Sequence, residues 1–212
     1  MRQPRLLAMM LALLLVGAAI ARADYPKPSP YPIAWEFKFD YQTPQRIVVK
    51  VPGTDAPQTF WYLTYTVTNN SDKEQMFLPI FEMLTRDGTV IRSDNKIPPQ
   101  VFDAIKRQEK KPFLESFPKV EGELRLGEDQ ARDGVAIWPE PSPRMGQFSI
   151  FVGGLSGETA QLKDSSGQPV KDKDGNPVIL RKTLQLNYII RGDGVYPGDE
   201  QVNENPKDWV MR

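Results

Sequence analysis

The segment that most constrains the fold of this chain is an aromatic and β-branched stretch at residues 59–69. Trp61, Leu63, Tyr65 and Val67 recur at every second position, and turn-forming residues follow at 69–72. Successive side chains of a β-strand point to opposite faces, so this period of two predicts a strand with one face in a core. A strand of this kind needs partner strands, which the rest of the chain must supply.

Further short strands are predicted on both sides of this segment. The expected strands are 35–41, 46–51, 76–85, 90–91, 120–126, 134–138, 147–152, 178–191 and 209–211. Pro79 lies within one of them and indicates a sheet edge or a bulge, because proline cannot donate a ladder hydrogen bond. Many short strands separated by turns predict a mainly β fold, either an antiparallel β-sandwich or a barrel.

One helix signal interrupts the strands. Pro99 pre-sets a first helical turn, Val101 and Ile105 share one face, and Pro112 ends the pattern. We therefore expect one short helix, inserted into the sandwich near residues 99–110.

The first 23 residues have the pattern of a secretory signal peptide. Positive charges at Arg2 and Arg5 precede an apolar run at residues 6–20, and Ala21-Arg22-Ala23 forms a small-x-small cleavage site. The run is shorter than the roughly 20 residues that a membrane-spanning helix needs, although an uncleaved anchor remains an alternative. The sequence thus predicts export to the periplasm, the cell surface or the medium, with no membrane span after cleavage.

The predicted mature chain has three parts. A lead-in at 24–33 carries proline at every second position from Pro26 to Pro32, which favours an extended spacer or a strap along the domain. A single domain is expected at 34–212, with a hairpin extension at 163–178.

The composition excludes several classes of chemistry. The chain contains no histidine and no cysteine, which rules out a Ser-His-Asp triad, an imidazole metal site, a thiolate nucleophile and a disulfide framework. Loss of three arginines with the signal peptide would change 27 basic against 27 acidic residues into 24 against 27, a formal charge of −3. A negative chain is not expected to bind nucleic acid, whose recognition depends mainly on neutralising phosphates. No cofactor is expected, apart from Ca²⁺ as an alternative.

Three segments in order resemble the strands of a known sandwich. These are Thr-Tyr-Thr-Val-Thr-Asn at 64–69, Gly-Val-Ala-Ile at 134–137 and Phe-Ser-Ile-Phe-Val at 148–152. Together with the turn and the strand that follow residue 69, their order resembles the B, C, E and F strands of immunoglobulin-like or fibronectin-like domains of exported bacterial proteins. The resemblance implies an immunoglobulin-like antiparallel β-sandwich that recognises partners by its loops. Residues 180–186 with 209–212 also resemble the C-terminal end of exported bacterial proteins, a likeness that implies no function.

A duplicated octapeptide at 163–178 is the candidate metal site. Lys-Asp-Ser-Ser-Gly-Gln-Pro-Val is followed at once by Lys-Asp-Lys-Asp-Gly-Asn-Pro-Val. Asp172, Asp174 and Asn176 alternate as at the start of a calcium loop, but the glycine and the bidentate acid that an EF-hand needs later are missing. Asp-x-x-Gly-x-Pro units are typical of tight turns, so we expect a hairpin extension, with a Ca²⁺ site as the alternative.

The candidate binding residues lie in two loops. Trp138 ends a strand before a proline-rich turn, where we expect an exposed indole, and Gly153-Gly154 permits close approach of another backbone. The predicted binding residues are Trp138, Glu140, Arg144, Gly153, Gly154 and Ser156. The serine cannot act as in a nucleophile elbow, because the G-x-S-x-G spacing and a histidine base are absent.

These observations predict an exported, non-catalytic binding or structural module that acts on a protein or cell-envelope partner. A carbohydrate-binding or carbohydrate-active protein is the first alternative. It would need an exposed aromatic row beside paired carboxylates such as Glu121 and Glu123. A Ca²⁺-stabilised adhesion domain is the second alternative.

Overall fold

The computed structural model describes residues 25–191 and 201–212, so the predicted signal peptide lies outside the described residues. The chain divides into two compact units. Of the described residues, the larger comprises 27–160, 179–191 and 201–212, and the smaller contains Gln161–Val178 together with residues 25–26.

The described residues form twelve strands, two short helices and one 3-10 turn. In chain order they are β1 (Lys38–Tyr41), β2 (Gln45–Val49), β3 (Gln58–Thr68), β4 (Gln75–Phe77), β5 (Ile80–Thr85), β6 (Val90–Arg92), α1 (Pro99–Glu109), α2 (Phe117–Val120), β7 (Gly122–Leu124), the 3-10 turn (Glu128–Gln130), β8 (Arg132–Pro139), β9 (Gln147–Gly153), β10 (Thr159–Gln161), β11 (Ile179–Ile190) and β12 (Val202–Met211).

The strands form two main antiparallel sheets and one small pair. In the four-stranded sheet, β8 pairs with one edge of β3, while β1 and β2 pair with successive halves of its other edge. The six-stranded sheet has the order β10-β11-β9-β5-β6, and β12 also pairs with β11. Strands β4 and β7 form the separate two-stranded sheet.

The inner faces of the two main sheets pack on each other in the larger unit. The ring of Trp61 on β3 lies 5.5 Å from Phe148 on β9, and that of Tyr65 lies 4.9 Å from Phe81 on β5. One cluster of buried apolar side chains draws on both sheets, so the architecture is an antiparallel β-sandwich. The prediction of a mainly β sandwich with an inserted short helix is confirmed.

A second apolar cluster lies on the outer face of the four-stranded sheet. Tyr62 and Ile137 on that face pack with Val101 and Ile105 of α1, and all four side chains are at most 2% exposed. The inserted helix therefore covers the sheet from outside, and β3 is buried on both faces.

Some predicted boundaries were wrong for identifiable reasons. The strand expected at 76–85 is two strands, β4 and β5, since Pro79 cannot continue the ladder. The strand expected at 120–126 is shorter, Gly122–Leu124 (β7), because α2 extends to Val120. Strand β12 is longer than the predicted 209–211, because long-range pairing with β11 holds a polar segment extended.

The lead-in runs along the larger unit from Ser29 onward. The backbone N–H of Ser29 donates to Glu158 Oε1 at 2.7 Å. Farther on, Gly157 donates to the carbonyl of Trp35 at 3.0 Å, and Phe37 donates to that of Leu155 at 2.9 Å. We call residues 29–37 the strap. Of the two predicted forms of the lead-in, the packed one is observed in this part.

The smaller unit is built from the duplicated octapeptide. Asp164 Oδ1 accepts the backbone N–H groups of Ser166 and Gln168, and Asp172 Oδ1 accepts those of Asp174 and Asn176, all at 2.9 Å. Each copy thus forms the same aspartate-capped tight turn, and a glycine supplies the positive φ that each turn requires. The two copies are equivalent in structure as well as in sequence.

Candidate functional site

Trp138, the first predicted binding residue, lies in the core. It is fully buried and pairs in register with Trp61 across β8 and β3. The expectation of an exposed indole was wrong, because β8 continues to Pro139 and holds the ring against the facing sheet.

The loop that follows is divided between an ion pair and a cavity. Glu140 contacts the guanidinium of Arg46 at 2.5 Å, and Arg46 itself lies over the ring of Trp61 at 5.9 Å. Arg144 is exposed and lines a cavity of about 370 Å³ with Arg86 of the β5–β6 turn. Of this loop, Arg144 is the predicted residue that remains available to a ligand.

The predicted residues at 153–156 have structural tasks. A Cβ on Gly154 would lie 2.4 Å from the carbonyl oxygen of Leu78, so the glycine allows the close backbone approach expected from sequence. Gly153 packs against Ile80, and Ser156 Oγ accepts the backbone N–H of Glu158 at 3.1 Å. Together these contacts hold the loop onto the β4–β5 segment and orient Glu158.

The candidate metal residues belong to the smaller unit. Asp172, Asp174 and Asn176 are exposed, and Asp172 Oδ1 is engaged by two backbone N–H groups of its own turn. Within residues 25–191 and 201–212, no three acidic side chains are grouped so that they could hold a metal ion.

A cavity that was not predicted lies beside α1. It has a volume of about 760 Å³, within the range of ligand pockets. We call it the Phe113 groove. Its lining is Phe102, Lys106, 112–116, Lys119 and 128–133.

Phe113 itself is 79% exposed on the rim of this groove. The next residue, Leu114, is 1% exposed, and its carbonyl accepts a hydrogen bond from Lys106 Nζ at 2.9 Å. Glu115 then donates its backbone N–H to Asp133 on β8 at 2.9 Å. The backbone on the C-terminal side of Phe113 is therefore anchored to both the helix and the sheet, which places the exposed phenyl ring at the rim of the groove.

The charged groups of the groove fall into two kinds. Arg132 is committed to the fold, since its guanidinium donates to the carbonyls of Val120 and Glu123 at 2.9 and 2.6 Å. Glu128 pairs with Lys38 at 3.6 Å, Asp133 Oδ1 accepts from Thr66 Oγ1 at 2.6 Å, and Asp129 Oδ2 accepts from Gln130 Nε2 at 3.2 Å. The side chains of Glu115 and Lys119 make no hydrogen bond or ion pair with another described residue. These two side chains are thus left for a ligand beside an exposed aromatic ring.

A buried lysine was missed by the sequence analysis. The side chain of Lys182 is 3% exposed, and its Nζ lies 2.9 Å from Glu36 Oε2, 3.4 Å from Glu158 Oε2 and 4.9 Å from the ring centre of Trp209. These groups join the strap to β11 and β12. The cluster holds the fold together, because its charges are paired with one another inside the protein.

The carboxylates that could serve glycoside hydrolysis are Glu121, Glu123 and Glu82 on β5. Glu82 pairs with Arg212 at 2.7 Å. Glu121 and Glu123, which flank Gly122 in the sequence, are exposed. Among the described residues, no helix is long and apolar enough to cross a membrane.

Neither the protein-family models, the curated proteins nor the solved structures include a match to this chain.

Proposed function

We propose that the protein is an exported, non-catalytic binding module whose ligand site is the Phe113 groove. The observation that carries this proposal is an exposed phenyl ring on an anchored backbone, beside a cavity of about 760 Å³. Export rests on the signal-like sequence at residues 1–23.

The exposure of Phe113 favours recognition over packing. Aromatic side chains dominate the energetics of interfaces, and a backbone segment that is already anchored loses little entropy when a partner covers it. The backbone after Phe113 is anchored through Leu114 and Lys106, so the fold presents an apolar surface that water covers in the free protein.

The lining of the groove favours a short peptide segment as ligand. Phe102 and Phe113 provide apolar contact, while Lys119 and Glu115 provide one charge of each sign. A segment that carries an apolar residue flanked by an acidic and a basic residue would match this arrangement. Such a segment would belong to a protein partner of the cell envelope.

The test is selection of a random dodecapeptide phage library on the purified protein. We expect enriched peptides with an apolar residue between charges, with binding weakened at least ten-fold by Phe113→Ala. Tyr31→Ala is the matched control, because Tyr31 is 77% exposed and does not line the groove. Equal loss in both variants, or peptides that bind Phe113→Ala as well as the wild type, would refute the proposed site.

The two alternative functions lack a comparable observation. Trp61 and Trp138 are in the core, so they do not provide the aromatic row that a sugar platform needs. The carboxylate of Asp172 caps its own turn, which leaves calcium-dependent adhesion without a described site.

A further inference from the structure

The chain crosses from one main sheet to the other at Ser93 and Asp94. The backbone N–H of Ser93 donates to the carbonyl of Phe81 on β5 at 2.9 Å, and that of Asp94 donates to the carbonyl of Ile137 on β8 at 2.8 Å. Two successive residues therefore tie the six-stranded sheet to the four-stranded sheet. The same segment continues directly into α1.

The backbone of this crossover has an unusual conformation. Asp94 has φ 59° and Lys96 has φ 58°, in the left-handed region that L-residues other than asparagine and aspartate rarely adopt. Residues in such conformations persist only where the surrounding contacts hold them, and they concentrate at switching and binding regions. Here the contacts that hold them are the two ties to the sheets.

One of the two carboxyl oxygens of Asp94 is buried without a hydrogen-bond partner, namely Oδ2. The hydroxyl of Tyr65 on β3 is likewise buried and unpartnered, and the charge of Asp94 acts on it. Within residues 25–191 and 201–212, no lysine or arginine forms an ion pair with Asp94, and the neighbouring Arg92 and Lys96 are exposed.

Burial raises the pKa of Asp94 to about 7, because it disfavours the charged carboxylate. Hydrogen bonding by Ser93 and by the backbone of Ile137 opposes this shift, and the negative charge of Glu121 adds to it. The chain has no histidine, so no imidazole titrates in the same range.

We propose that Asp94 is a proton-controlled tie between the two sheets, which is firm when its carboxyl is neutral and loosens when the carboxyl ionises. The groups that face it are Tyr65 from β3, Glu121 after α2, and Ser93 and Ile137 at the crossover itself. This proposal does not depend on the identity of any ligand.

The direction of the pH effect follows from linkage. The pKa of Asp94 in the folded state lies above its value of 3.8 in the unfolded chain, so the folded state binds more protons between these values. Its stabilising contribution is complete below pH 4 and is lost as the pH rises through 7. The unfolding equilibrium constant should therefore increase about twenty-fold between pH 5.5 and pH 7.5.

The experiment compares urea unfolding of the whole protein at pH 5.5, 6.5 and 7.5, followed by tryptophan fluorescence. The test variant is Asp94→Asn, which keeps a residue suited to positive φ but removes the ionisation. Asp103→Asn on α1 is the matched control, because Asp103 is exposed. We expect the twenty-fold change in the wild type and in Asp103→Asn, and a change below three-fold in Asp94→Asn.

Hydrogen exchange, corrected for intrinsic rates, shows where in the fold the pH-dependent opening occurs. Opening should increase with pH in α1 and along β8 in the wild type and not in Asp94→Asn. An unfolding constant that is unchanged in the wild type between pH 5.5 and 7.5 would overturn the proposal. So would the same pH dependence in Asp94→Asn, or opening confined to other strands.

Discussion

The two main sheets differ in what lies on their outer faces. The outer face of the four-stranded sheet carries Tyr62 and Ile137 and is covered by α1. On the six-stranded sheet, the corresponding rows are Glu82-Phe151-Gln185 and Leu84-Ser149-Asn187, and neither apolar cluster of the described chain includes these side chains.

The polar groups on the two outer faces are used differently. On the six-stranded sheet they satisfy one another laterally: Ser149 Oγ and Gln185 Nε2 donate to Asn187 Oδ1 at 2.7 and 2.8 Å. On the four-stranded sheet the hydroxyl of Tyr62 contacts Glu109 Oε1 at 2.7 Å and accepts from Gln108 Nε2 at 2.9 Å, which joins the sheet to α1. Polar groups on the six-stranded sheet thus bond to one another, whereas those on the four-stranded sheet fasten another layer.

The difference also locates the binding site. On the six-stranded sheet, Ser149 and Asn187 line a cavity of about 430 Å³, but their side chains bond to each other and offer a ligand few unpaired groups. The added helix creates an edge where its end and the following loop do not fill the space above β8, and the Phe113 groove lies at that edge.

Truncation of an α1 side chain that covers the four-stranded sheet should have the largest effect on stability. Ile105→Ala leaves a cavity between α1 and β3, and we expect a loss of about 2–5 kcal/mol in the free energy of unfolding. Urea denaturation measures it. Ile33→Ala is the matched control, since Ile33 is 72% exposed and should lose below ~0.5 kcal/mol. Equal midpoints for the two variants would show that α1 does not cover the sheet.

Removal of the polar contacts between Tyr62 and α1 should have a smaller effect on stability. Tyr62→Phe removes the hydroxyl that contacts Gln108 and Glu109, and we expect a loss of about 1–2 kcal/mol in unfolding free energy. Tyr31→Phe makes the same chemical change at an exposed residue and should have no effect. If hydrogen exchange of α1 in Tyr62→Phe matches that of the wild type, the hydroxyl does not hold the helix.

A substitution on the outer face of the six-stranded sheet should have the smallest effect on stability. Glu82→Gln breaks the pair with Arg212, whose side chains are 30% and 36% exposed, and we expect a loss of about 0–1 kcal/mol that vanishes in 1 M salt. Glu74→Gln is the control at an exposed glutamate outside the ion pairs. A loss above ~2 kcal/mol would mean that this face is as important to stability as the covered one.

Strands were predictable from local pattern, but the layer outside them was not. The alternation of Trp61 and Leu63 shows that one face of β3 is apolar, and Val101 with Ile105 predicts a helix. Neither pattern states that Tyr62 and Ile105 meet, because that contact depends on the path of the chain between β6 and β8. Residues at the ends of strands were misjudged for the same reason, as Trp138 shows.

The site depended on features that carry little sequence signal. Phe113 follows the proline that ends the helix pattern, and its exposure results from the burial of Leu114 and the position of Lys106. Lys182 looks like any solvent-facing strand residue until the strap brings Glu36 beside it. Asp94 shows no local motif, because its burial comes from two sheets that are distant in sequence.

The strap constrains the order in which parts of the chain can fold. Its contacts join residues far apart in sequence: Ser29 to Glu158 across 129 positions, and Lys182 to Ser29 across 153. A chain made from its N-terminus contains the strap early, but the strap cannot dock until β11 has been made, and such long loops close late. A segment synthesised early is therefore among the last to reach its native position.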